Sequence, residues 1–126
     1  MTTYVRPPGN FDELVEPFPV EVRETACELR RVIHRVLPDA DENVYGGLKI
    51  ANVLYSIGRD ANVICGIQPA DTHCKLYLHH VKPGDVAGVK VEGSGKNARH
   101  VKVAGLAAAQ APEIRSVLER ARQGAQ

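Results

Sequence analysis

The chain has no tryptophan, two phenylalanines and one methionine. That scarcity argues against a base-stacking platform and against a nucleic-acid partner, since single-strand binders rely on aromatic faces. Charge of one sign is also missing. Sixteen basic and fifteen acidic residues leave a formal net charge of +1, so any cationic surface must be local. No apolar run approaches the length of a membrane span. The three cysteines, Cys27, Cys65 and Cys74, are odd in number and lack zinc-framework spacing. The opening "MTTYVRPPGN" lacks the basic and apolar regions of a secretory leader, so the expectation is a cytoplasmic chain with reduced thiols.

What is present is ordinary globular usage: 126 residues, 44% hydrophobic and 25% charged. This predicts a single domain over residues 1–126 with residues 1–9 as a loose lead-in, and a core that needs no metal or disulfide. Asn10 can cap a short helix running to Glu16, which "PFP" at 17–19 interrupts. From Val20 to Leu37, Val22, Ala26, Leu29, Ile33 and Val36 form one apolar stripe, and Pro38 ends the helix. The pattern then changes to strands: "VYGGLKI", "NVLYSI", "NVICGIQ", "HCKLYLHH" and "ARHVKV". Residues 81–95, with Pro83, Gly84, Gly88, Gly93 and Gly95, read as loop. Pro112 suits the first turn of a last helix with Ile114, Val117, Leu118 and Ala121 inward. The order predicts an α+β fold: a mainly antiparallel five-stranded sheet with N- and C-terminal helices packed on one face.

If Cys65 lies opposite Cys74, alternation puts Val63, Cys65, Ile67, Cys74, Leu76 and Leu78 on the core face. Ile64, His73, Lys75, Tyr77 and His79 then share the open face, joined by Lys96, His100 and Lys102. In "NVLYSI", either Leu54 or the Val53, Tyr55, Ile57 set could be inward. Arg99 falls on the core side and needs a carboxylate or a carbonyl as partner.

"CGIQPADTHCKLYLHH" and, after a variable loop, "VEGSGKNARHVKV" resemble the YdhG-like domain-of-unknown-function family, as does the upstream "VYGGLKIANVLYSIG". The resemblance covers roughly residues 20–120. It implies a small α+β fold with an antiparallel sheet. One branch is similar to frataxin and is described as an iron chaperone for iron–sulfur assembly, so it also implies weak iron binding.

The loop "EGSGKNARH" departs from a Walker motif, because Lys90 stands where the first glycine should be and Asn97 where a hydroxyl should be. It reads as a turn with Gly93 or Gly95 at positive φ, or as a shallow anion site using Lys96 and His100. Lys75, Tyr77, His79, Lys96, His100 and Lys102 are therefore the candidate anion-binding residues. His73 and His79 sit about 20 Å apart along one strand, so only a cross-strand pair such as His79 with His100 could share a metal.

Glu21, Glu24 and Glu28 fall within a narrow helical arc, with Asp39, Asp41 and Glu42 just beyond. This is either a solvated face or a weak iron(II) site. Cys27 has Arg23, Arg30 and Arg31 as helical neighbours, which would favour its thiolate. Cys65 and Cys74 read as core residues.

The first expected function is a non-catalytic binding or carrier domain using the open sheet face or the acidic helix, with weak iron binding as its sharpest version and no cofactor otherwise indicated. The alternative is self-association through the open sheet face. The least supported is an enzyme acting on a small anionic substrate.

Overall fold

The computed structural model describes residues 3–93 and 99–125. Asn10 caps α1 (Phe11–Val15), its side-chain oxygen accepting from the Glu13 amide at 2.9 Å. After the proline break comes α2 (Val20–Val36), which buries Val22, Ala26, Leu29 and Ile33 as one stripe. Five strands follow: β1 (Asp41–Gly46), β2 (Ala51–Ile57), β3 (Asn62–Pro69), β4 (Cys74–Leu78) and β5 (Arg99–Val103). They form one antiparallel sheet in the order β1-β2-β3-β4-β5. The chain closes with α3 (Leu106–Ala109), a single turn not legible beforehand, and α4 (Pro112–Gly124), with proline in its first turn.

The helices cover one face of the sheet. Val53, Tyr55, Cys65, Ile67, Cys74, Leu76 and Leu78 are fully buried beneath them, with Leu29, Ile33 and Leu118. The inward set in β2 is thus Val53 and Tyr55, while Leu54 is half-buried on the other side.

Three expectations are corrected. "VYGGLKI" is not one strand: β1 starts at Asp41 and ends at Gly46, and the Gly47 amide bonds to the Ile50 carbonyl at 2.9 Å to close a hairpin. Gly46 is needed there, because its φ is +139° and an added Cβ would collide with Ala51. Cys65 pairs with Leu78, and Cys74 with Pro69. That is a four-residue slip from the expected register, and an even slip keeps each side chain on its face.

The third correction changes faces. The β2–β3 register shifts between Tyr55 and Ser56, so Ile64 is an extra residue in β3. A bulge of this kind resets alternation locally. Ile64 is fully buried on the helix side with Cys65, beside Arg122 and Ala125, and the half-buried Val63 is returned to the open face opposite Ser56.

One polar cluster ties the edge strand to the helices. Glu42 of β1 accepts two bonds from Arg30 of α2, both at 2.8 Å, and one from the buried Tyr55 hydroxyl at 2.6 Å. Its Oε2 is also 3.4 Å from His34 Nε2. Burial alone would push this carboxyl up. The bonds from Arg30 and Tyr55, with the nearby charge of Arg30 and His34, outweigh burial and hold it below the usual carboxylate range.

A cationic patch on the open sheet face

Antiparallel pairing fixes which open-face side chains meet. Lys75 lies directly opposite Lys102, and Tyr77 directly opposite His100. The Tyr77 and His100 rings are 5.6 Å apart. On the β3 side, Gly66 faces Tyr77 and Gln68 faces Lys75. Gly66 contributes no side chain, and Leu54 leans over it: an added Cβ would sit 2.6 Å from the Leu54 methyl.

Two lysines across a strand pair repel, and neither forms an ion pair with a described residue. The same field reaches His73 in the preceding turn. Its imidazole is held below the usual histidine range by burial first, then by Lys102, Lys75 and His100. Lys75, Lys102 and His100 thus sit within electrostatic reach of one ring, as the β4–β5 pairing requires.

A carboxylate borders the patch on one side. Glu92 bridges to His100 through backbone bonds of 2.7 and 2.9 Å, and its Oε2 lies 3.5 Å from His100 Nε2. His100 is thereby partly satisfied. The uncompensated charge rests on Lys75 and Lys102.

Of the six expected anion-binding residues, the structure gathers Lys75, Tyr77, His100 and Lys102 into one block. His79 lies two residues farther along, past the end of β4, and its amide bonds to the Ile64 carbonyl at 3.0 Å. Its imidazole is held down by burial and then by His80. No His79–His100 pair is formed. Lys96 and Gly95 lie outside the described residues. Gly93 takes the expected positive φ, +103°, and Arg99 finds a carbonyl partner, donating to Gly93 at 3.4 Å. Glu92 and Gln68 were missed beforehand; pairing, not residue type, brings them to the patch.

The carboxylate ridge is only partly a ridge. Glu21 and Glu24 are exposed, but Glu28 is 8% exposed and engaged with Arg31 through both oxygens. Among the described residues, no group of three or more His, Cys, Asp or Glu could hold a metal ion. Cys27 is exposed, and its thiol is pushed up rather than down: burial leads, and Arg30 only partly offsets it. Cys65 and Cys74 are fully buried core thiols. Burial raises both, Cys74 to about 12.

Among the described residues, no helix is long and apolar enough to cross a membrane. Among the described residues, the hollows near the helices and the lead-in are lined by other side chains, and the patch lies on the sheet face opposite the helices. Comparison with family models, with curated proteins and with solved structures gives no match. The patch therefore has to be interpreted from its own chemistry.

Proposed function

We propose that this chain is a non-catalytic binding domain whose open sheet face receives an acidic segment of a partner protein. The observation that carries this is the Lys75–Lys102 pair, opposed across β4 and β5 without a described carboxylate. An incoming carboxylate between them relieves the repulsion and forms charge-assisted hydrogen bonds. Tyr77 and Leu54 supply apolar contact beside the charge.

Placement on an open sheet face, with Lys102 exposed, favours binding over catalysis. Charge stabilisation strong enough to drive a reaction needs a water-excluded site, whereas a docking surface tolerates water. It also favours an extended partner over a small molecule, which would need a hollow to bury its surface.

The test is titration of the isotope-labelled chain with a glutamate-rich peptide, followed by amide shifts. Shifts should centre on Lys75, Tyr77, His100 and Lys102, weaken as salt rises, and vanish in Lys75→Gln/Lys102→Gln. Equal binding by that double variant would overturn the proposal.

Self-association through this face is a second reading, favoured by Tyr45. That residue is on the same face at the β1–β2 tip, 55% exposed, near the exposed Leu48 and Ile50. Sedimentation of wild type and Tyr45→Ser would decide it. Weak iron binding and membership of the YdhG-like family rest on the sequence resemblance. A ferrous titration of wild type against Glu21→Gln/Glu24→Gln tests the iron reading, and equal affinity would remove that ridge from consideration.

A further inference from the structure

A second charged feature lies in the helical layer. Glu28, Arg31, Val32, Arg35 and Val36 form one stripe of α2, and Pro112, Arg115, Glu119, Arg122 and Gln123 form one stripe of α4. These stripes line two adjoining hollows of about 280 and 320 Å³ between the helices. Arg35, Val36 and Arg115 line both hollows, so the two are parts of one groove.

Most of its charges are already matched. Arg31 is engaged by Glu28, and Arg115 by Glu119 at 3.1 Å. Arg122 donates to the Val36 carbonyl at 2.7 Å and lies 3.6 Å from Asp39. Arg35 is the exception. It is exposed, sits at the junction of the hollows, and makes no hydrogen bond or ion pair with a described residue. Its position in the last turn of α2 suits a cation next to the helix carbonyls, but that accounts for the charge and not for the hollow in front of it.

We infer that this groove binds the phosphate group of a small organic phosphate, with Arg35 as its primary contact and Arg115 as its second. A guanidinium presents a planar fork of donors that fits phosphate oxygens. Arg115 holds Glu119 through Nε alone, so its terminal nitrogens remain as donors. A carboxylate can be held by one fork, as Glu28 is by Arg31. A phosphate has a third oxygen and greater charge, and so suits donors arriving from two helices. Val32 and Val36, packed against the core, give the groove an apolar floor for the organic part. The combined size is that of a small-molecule site.

The experiment titrates the whole chain with phenyl phosphate, inorganic phosphate and benzoate, following side-chain guanidinium and amide signals. Phenyl phosphate should bind most tightly and shift Arg35 and Arg115. Arg35→Gln should weaken it by about tenfold or more while the melting temperature stays within a degree or two of wild type. Arg115→Gln should weaken it too, and Lys75→Gln/Lys102→Gln should leave it unchanged, which separates this groove from the sheet-face patch. Benzoate binding as tightly as phenyl phosphate would overturn the phosphate assignment. No binding of any probe, or binding insensitive to Arg35→Gln, would overturn the site and leave Arg35 as a helix-end cation.

Discussion

Lys102→Glu converts a repelling cross-strand pair into an attracting one. Directly opposite residues have Cβ atoms about 5 Å apart, and such pairs contribute roughly 0.2–1 kcal/mol in either direction. Lys102 is exposed, so solvent reduces both the repulsion lost and the attraction gained, and about 1 kcal/mol or less is the expected stabilisation. For a domain of this size that is a rise of roughly 2–4 °C in melting temperature, shrinking as salt is added. Three readouts should move together. Calorimetry should show the rise, peptide titration should show binding lost, and the histidine titration by NMR should show His73 with a higher pKa. The last follows because Lys102, after burial, is the leading cause holding that imidazole down. Lys102→Gln should give about half of each effect. A melting temperature that falls while His73 titrates unchanged would refute the reasoning, since it would mean the two lysines do not face each other.

Glu42→Gln should cost about 2 kcal/mol or more in urea unfolding, because it leaves the half-buried Arg30 without its carboxylate partner. The folded carboxyl lies below its usual 4.5, so its stabilisation is complete above that value and is lost as pH falls through the folded pKa. The gap between variant and wild type should therefore narrow below about pH 4.5, and a pH-independent gap would point to packing alone. Gly66→Val should cost about 1–3 kcal/mol, since its Cβ would meet the Val53 carbonyl at 2.8 Å, a backbone atom that cannot swing aside. Ile64→Ala should cost about 2–4 kcal/mol and Val63→Ala under about 1, measured by chemical denaturation; unbroken alternation would give the reverse order.

The local elements were legible because each rests on short-range rules. The Asn10 cap, the α2 stripe and the proline at the start of α4 all depend on residues within a few positions of each other. The anion-binding set was legible in part, because alternation in β4 and β5 assigns Lys75, Tyr77, His100 and Lys102 to one face without knowledge of register. The bulge was not. It arises where Ser56 pairs with Val63 and not with Ile64, and both are apolar β-branched residues that either face accepts. Glu28 was misplaced for a related reason: helical periodicity puts it beside Glu24, but it lines a hollow shared with Gln110, Ala111 and Pro112, whose approach α2 alone does not specify. The arginine groove had a sequence signal, Arg31 and Arg35 one turn apart and Arg115 and Arg122 two turns apart. Nothing local says that the two stripes face each other.

By itself the sequence determined the α+β class, the two long amphipathic helices, the face assignment of most strand residues and the concentration of cationic side chains on β4 and β5. These follow from periodicity, which is a property of the backbone acting over one or two turns or pairs. Tertiary structure alone decided the strand register, the exchange of Val63 and Ile64, the Arg30–Glu42–Tyr55 lock on the edge strand and the groove between α2 and α4. Each joins residues distant in the chain, and their pairing is selected by packing and electrostatics that exist only once the sheet and helices are in contact.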